Sequence, residues 1–359
     1  MRKLASIRKI SALDKIDGAD KIVKASVDGW ALVTAIDNGF MVGDLVVYFE
    51  VDSFLPVEPR YEFLRKGCFK STTHLGDGFR LKTIKLKGQT SQGLIMPVER
   101  GLDEEKLPCF MLTGTDGKQH VVHEGMDVTE ILGVQLYEKP IPAQLAGKVK
   151  GNFPLLIRKT DQERAQNIVK ELVYNLDSDW EVTMKLDGSS MTVYQKSGSF
   201  GVCSRNLDLF ETEDNLFWQV AKSHRLQEQL SWLGKNYAFQ GELMGPGVQS
   251  NREGLKKHMF FLYDIWDIDS QCYLGMEERH RIVNSLASSG FELYYCPFLE
   301  VTSLRKFVSE DKTIIENLLE YAEGPSLSHK VREGVVFKRF DGAASFKVIS
   351  NTFLLGEKD

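Results

Sequence analysis

Cysteine is scarce in this chain and shows no pairing pattern. There are five, Cys68, Cys109, Cys203, Cys272 and Cys296, an odd number with no C-x-x-C among them. That argues against a disulfide framework and a thiolate zinc site, and fits a reducing compartment. Histidine offers no metal site either: His120 and His123 lack other ligand types at metal spacing and read as structural or surface residues. No apolar run approaches membrane-spanning length, and the first residues lack the apolar core of a secretory signal. The expectation is a soluble intracellular protein with no membrane partner. Neither sign of charge dominates, the net charge being −5 with 26% charged residues. A mildly acidic total leaves room for a nucleic-acid partner, because a local basic patch is what binds phosphates.

What is present is enough chain for two cores, 359 residues at 42% hydrophobic. Residues 1 to about 135 read as short strands broken by Gly and Asp turns. Asp28-Gly29 between two apolar runs (23–27 and 30–34) is a hairpin signal, and further runs follow at 42–49, 81–86 and 92–97. Strands at this spacing suggest a small closed barrel, an all-β domain. The stretch resembles OB-fold domains, and Ala19-Asp20-Lys21 with the run at 43–49 is similar to OB modules that bind structured RNA. Arg80, Lys82, Lys85 and Lys87 crowd one expected strand and its start. They form either a solvated face or a phosphate-tracking surface that would bind RNA. Residues 139–151, prolines at one end and glycines with lysines at the other, read as a linker. The expected domains are therefore 1–140 and 141–359.

The second domain mixes helices and strands without βαβ alternation, which predicts α+β with largely antiparallel sheets. Thr160-Asp161 predicts a helix N-cap followed by the apolar stripe Ile168, Leu172 and Val173. Helices are also expected over 216–233, 277–288 and 303–322, and strands over 180–185, 191–195, 238–243, 258–265, 334–338 and 345–349.

The chemistry gathers around Lys185-Leu-Asp-Gly188, at the end of an apolar strand and the start of a Gly-Ser turn. Alone, this pattern also fits any surface strand that ends in a lysine before an Asp-Gly turn. As a nucleophile the lysine must be the free amine, so its pKa is expected to lie well below the usual value near ~10.4. Four more stretches set charge in strand-like contexts: Ser204-Arg205-Asn206, Gln240-Gly241-Glu242, Arg332-Glu333-Gly334 and Phe346-Lys347-Val348. Buried charge is costly unless paired or ligand-bound. Each alone could be a structural ion pair; together they could bind a polyphosphate and a divalent metal.

In this order the stretches resemble the motifs of the covalent nucleotidyltransferases, the superfamily of DNA ligases, RNA ligases and capping enzymes. Lys185 to Gly188 is similar to motif I, Ser204 to Asn206 to motif Ia and Gly241-Glu242 to motif III. Phe260 to Asp264 is similar to motif IIIa, Glu333 to Lys338 to motif IV and Phe346-Lys347 to motif V. Only twelve residues follow Lys347, too few for a trailing barrel, and the OB-like part comes first. That order resembles RNA ligase family 5, as do Gly245 to Gln249 and Ser345 to Asn351. A DNA ligase, a capping-type guanylyltransferase and a non-catalytic OB protein that binds nucleic acid are the alternatives.

The resemblance implies an N-terminal OB barrel followed by an α+β nucleotidyltransferase domain of ATP-grasp-like type, working as a monomer. It implies ATP and Mg²⁺ or Mn²⁺ as cofactors, RNA ends as partner, and a lysyl-AMP adduct on Lys185. The AMP then passes to a 5′-phosphate, and a 3′-OH attacks that end. Asp187, Glu242 and Glu333 would hold the metal, some through water, and Glu242 would also reach the ribose. Tyr263 would stack on adenine. Arg164 and Lys347 would meet the phosphates of ATP, and Arg205 those of AMP or the nick, with Gln249 near the RNA. Relatives often carry Lys-x-Lys in motif V, whereas Ile349 stands here; Lys338 could supply the second contact.

Overall fold

The computed structural model of the chain describes residues 3–137 and 148–356. The chain divides into two compact units, Met1–Pro140 and Ile141–Asp359. The first part of the expected linker lies outside the described residues. Its last part belongs to a strand, Val149–Asn152, hydrogen-bonded to Leu207–Leu209.

The first unit is built on one long strand, Ala5–Lys15. Its first half pairs with Leu45–Phe49 and its second half with Ile22–Val27, with a register shift between Ile10 and Ala12 where the strand turns the corner. A bulge of this kind increases local twist and bends a sheet toward closure. The sheet runs Leu94–Pro97, Leu45–Phe49, Ala5–Lys15, Ile22–Val27, Trp30–Ala35. Its far edges come together through Gln92 N donating to Ala31 O and Val33 N to the Ser91 hydroxyl, both 2.9 Å. The result is the expected curled barrel, filled by Ile10, Trp30, Leu32, Val46, Tyr48 and Ile95. Asp28 at the expected hairpin takes the left-handed conformation, φ +50°.

One expectation fails here. Residues 81–86 are not a single strand: Arg80 ends Gly76–Arg80, residues 81–83 are irregular, and Ile84–Leu86 forms a small exposed hairpin with Gln89–Ser91. Arg80 is tied to Asp52 at 3.2 Å and lies over the Tyr137 ring, Lys85 is exposed in the hairpin, and Lys87 sits in its turn at φ +47°. The four cations do not share one strand face, because Ile84 and Leu86 do not enter the core that would have defined one.

The second unit has two antiparallel-dominated sheets. The five-stranded sheet runs Glu163–Arg164, Ser345–Ile349, Gly334–Arg339, Asp179–Lys185, Phe298–Ser303. The larger sheet centres on Ser189–Lys196, Tyr237–Met244 and Met259–Asp267. Two helices, Leu216–Ser223 and Leu226–Leu233, replace the single helix expected, because Arg225 breaks the run in a left-handed conformation. The 303–322 helix is likewise shorter: a 3₁₀ turn, Leu304–Phe307, precedes Ile314–Ala322, which starts at a Thr313/Glu316 capping box. The helix Met276–Ser288 stands as expected. The Thr160-Asp161 signal starts no helix: Glu163–Arg164 is a strand, and the helix runs Val169–Tyr174.

Candidate active site

Lys185 ends the strand Asp179–Lys185, which is buried from Trp180 through Met184 and half-buried at the lysine, with Gly334 opposite. The chain then crosses from the five-stranded sheet into the larger one. Gly188 makes the crossing possible: a Cβ there would lie 2.4 Å from the Leu243 carbonyl and 2.9 Å from Glu242 Cγ. No side chain fits that close approach. The spacing from Lys185 to Gly188 is thus a sheet-to-sheet crossover.

Two carboxylates converge on the crossing. Glu333 Oε1 lies 2.7 Å from Lys185 Nζ, while its Oε2 is buried without a hydrogen-bond partner. The glutamate is held by its backbone, whose carbonyl accepts from Ser350 N at 2.9 Å. Arg332 beside it is structural, donating to the carbonyls of Ala322 (3.0 Å) and Glu323 (2.9 Å) at the end of helix Ile314–Ala322. Cationic donors at a helix C-terminus satisfy its orphan carbonyls. Glu242 pairs across the sheet with Ser190, and its Oε1 accepts from Gly188 N at 3.0 Å. Burial pushes the Glu242 carboxyl up to about 8; Glu333 and Asp187 add to this, against Lys185 and the Gly188 N–H.

With the three carboxylates unneutralised by a cation, Lys185 is raised, not depressed. Burial disfavours the ammonium, but the Glu333, Glu242 and Asp187 charges outweigh it and hold Lys185 above its ordinary value. All three carboxylates act on the Lys185 ammonium. Among the described residues no three His, Cys, Asp or Glu side chains group closely enough to ligate an ion directly. Asp187, Glu242 and Glu333 therefore form no closed cage. Oxygen donors with an orphaned carboxylate atom fit a hard divalent cation that keeps part of its water shell.

Tyr263 is placed by a feature invisible in sequence. Gln240 pairs with Asp264 and Gly241 with Leu262, so Tyr263 is the extra residue of a β-bulge. Bulges re-aim side chains beside active sites. Its hydroxyl is shared with Thr160 (2.9 Å) and Ser190 (3.1 Å).

Arg164 and Lys347 are brought side by side as register partners on parallel strands, Arg164 buried at 7% exposure. Arg164 is thus a sheet residue, not a solvated first-turn arginine. Arg205 is exposed and pairs with Asp161 at 2.9 Å. Gln249 is exposed in the loop after Glu242, at φ +46°. Lys338, the candidate for the second motif V contact, is engaged with protein groups in this structure. Its ammonium is 3% exposed, sits 3.2 Å from Asp264 and donates to the Tyr263 carbonyl. Burial holds its pKa down.

Behind the site lies a cluster that the sequence reading missed. Arg279, fully buried, pairs with Glu181 and lies 3.5 Å from Asp264. Glu181 also meets His280 and the Tyr295 hydroxyl, each at 3.1 Å. Glu181 stands in the same apolar strand as Lys185, the very signal that singled out Glu333 and Lys347. Arg279, in a polar helix stretch, gives no signal.

Comparisons with known proteins agree with this arrangement. An OB-fold domain family model matches residues 4–98, and an RNA ligase family model matches residues 178–349. No curated protein matches. Solved structures of Naegleria gruberi RNA ligase are similar over nearly the whole chain. One variant, solved with AMP and Mn, is 41% identical with TM-score 0.88, covering 100% of both chains. Another, with ATP and Mn, is 40% identical with TM-score 0.86 over 99% of each. A structure with PPi is 42% identical with TM-score 0.86, over 99% of this chain and 98% of that one.

Proposed function

The chain belongs to the RNA ligase family, and from that premise we propose that it seals 5′-phosphate and 3′-OH RNA ends at nicks through lysyl-AMP on Lys185. It is an ATP-dependent enzyme that uses Mg²⁺ or Mn²⁺. The observation that carries the residue assignment is the contact of Lys185 with Glu333 at the crossover between two sheets, with Glu242 on the other side.

Lys185 attacks the α-phosphorus of ATP and pyrophosphate leaves; the amine must first give up its proton. Glu333, Glu242 and Asp187 hold that proton on in this structure. A divalent cation, when bound among them, neutralises their charge and steadies the phosphates. Arg164 and Lys347, adjacent on parallel strands, meet the phosphates. Tyr263, fixed by two hydroxyl contacts, offers its ring to adenine. Arg205 is positioned for the phosphate of AMP or the nick, and Gln249 for the RNA. The barrel grips the RNA backbone, Lys82, Lys85 and Lys87 contributing charge.

No helix among the described residues is long and apolar enough to cross a membrane. Five free cysteines support a reducing interior as the working compartment, and we take the working unit to be a monomer.

The test is incubation with α-labelled ATP or GTP and metal, followed by a denaturing gel and by sealing of a nicked duplex. Label from ATP together with sealing supports the assignment. Label from GTP indicates a capping-type enzyme, and no label from either indicates a binding protein.

A further inference from the structure

Two irregular segments flank the active site, one after Glu242 (residues 245–258) and one before Glu333 (residues 324–332). Neither is loose. The first is closed on itself: Asn251 exchanges side-chain hydrogen bonds with both the N–H and C=O of Leu255, each 3.1 Å, and His258 donates to the Pro246 carbonyl at 2.7 Å. Gln249 and Asn251 hold φ near +46° and +43°. Left-handed backbone is unfavourable for most non-glycine residues, less so for asparagine, and marks a segment held by its surroundings.

The two segments are stapled to each other. Glu253 accepts from the Ser326 hydroxyl and from Ser328 N (2.7 Å), and Arg252 meets His329 Nδ1 at 3.3 Å. Both are anchored beneath the nucleophile. Leu255 packs against the buried cluster that contains Met184 and Leu186, the residues on either side of Lys185, and the Ser326 hydroxyl lies 3.6 Å from Met184 Sδ.

What this platform presents outward is cationic. Lys256 and Lys257 follow Leu255 directly, Lys330 follows His329, and all three are exposed. Among the described residues none of the three forms an ion pair, whereas Glu253 is occupied by the staple and adds no free counter-charge. A rigid, locally strained surface with uncompensated ammonium groups, fixed to the strand of the nucleophile, suits a polyanion that must be aligned with the reacting end. We propose that Lys256, Lys257 and Lys330 form a docking surface for the phosphate backbone of the RNA strand being sealed. This rests on the RNA-ligase reading above. Lysines contact phosphates as point charges and release counterions, so the surface adds affinity without sequence preference.

The experiment compares the full-length chain with Lys256→Glu/Lys257→Glu/Lys330→Glu on a nicked RNA duplex across a salt series. Self-adenylylation, which involves no RNA, reports folding of each variant. The expected result is sealing at least tenfold lower relative to self-adenylylation, weaker duplex binding in a mobility assay, and a salt slope shallower by about two to three. Sealing, binding and salt slope all matching the unaltered chain would overturn the proposal. If charge reversal itself removes self-adenylylation, the milder Lys256→Ala/Lys257→Ala chain decides by the same ratio and slope. An unaltered chain that adenylylates but seals no RNA would instead overturn the ligase reading.

Discussion

Two clusters of opposite charges lie within the second unit, and they are built to different balances. The inner one sets Arg279 and Lys338 against Glu181 and Asp264, two cations for two carboxylates, with Tyr295 and His280 completing the shell. The outer one sets Lys185 among Glu333, Glu242 and Asp187. Buried ions tolerate their loss of water only when paired and hydrogen-bonded. The inner cluster matches its charges with its own residues, although Asp264 Oδ1, like Glu333 Oε2 in the outer one, has no hydrogen-bond partner. In the outer cluster the Glu242 carboxyl is pushed up to about 8. The difference separates charge matched within the fold from charge that we propose meets a cationic ligand.

The comparison breaks most visibly if one cation is removed from each cluster. Lys185→Ala takes away the proposed nucleophile and the ion-pair partner of Glu333. AMP transfer to the protein should fall by roughly a thousandfold or more, while pre-adenylylated RNA is still sealed and thermal stability drops less than in Arg279→Met, since this pair is partly exposed. AMP remaining covalently attached in that variant would move the nucleophile elsewhere. Arg279→Met should do the reverse. It takes the closest cation from Glu181 and leaves Asp264 with Lys338, at a cost of about 3–5 kcal/mol, read by denaturant unfolding. Because Glu181 and Lys185 share one strand, activity should decline in step with the folded fraction.

The outer cluster was largely legible in the sequence and the inner one was not. Lys185 and Glu333 betray themselves locally, as charges at the ends of apolar strands next to glycine. Gly188 is readable for the same reason. Glu181 and Arg279 are 98 residues apart, and nothing near Arg279 announces a buried partner. The strand at Arg164 is not legible because Thr160-Asp161 looks like a helix cap. What overrides that local preference is pairing with Ser345–Ile349, far along the chain. The bulge at Tyr263 and the left-handed break at Arg225 arise where no glycine or proline marks the backbone. The barrel was readable from its turns, but residues 81–86 were not, since an exposed two-strand hairpin carries no alternating buried face.

Glu333→Gln sharpens the distinction by removing one negative charge at nearly constant shape. Lys185 should then lose its main electrostatic support and titrate lower, since Glu333 is the largest of the charges raising it. Labelling of the lysine by an amine-reactive reagent at neutral pH should rise severalfold. Adenylylation should need roughly tenfold or more additional metal, because one of few anionic oxygen donors for a hard cation becomes a neutral amide. A metal titration and a labelling rate that both match the unaltered chain would remove Glu333 from the cation-holding role.

The most specific expected effect concerns the protonation of Glu242. The folded chain holds the Glu242 proton up to about 8, whereas an unfolded chain releases it near the ordinary value of 4.5. Between those values the folded state binds more protons, so stability falls as pH rises. The favourable contribution is complete below pH 4.5 and gone above about 8. For one group the slope cannot exceed about 1.4 kcal/mol per pH unit. Glu242→Gln removes the titration and keeps the carbonyl that accepts from Gly188 N. With a chelator present, the stability advantage of the variant should therefore grow from pH 5 to pH 8 and then level off. Lys185 does not blur this window, since its raised pKa costs stability only above its ordinary value of 10.5. Adding Mn²⁺ with ATP should close the gap by supplying the positive charge that Glu242 lacks. Urea unfolding curves across this pH range decide the matter. Parallel stability profiles for the two chains would mean that Glu242 is ionised at rest and that the outer cluster is already balanced.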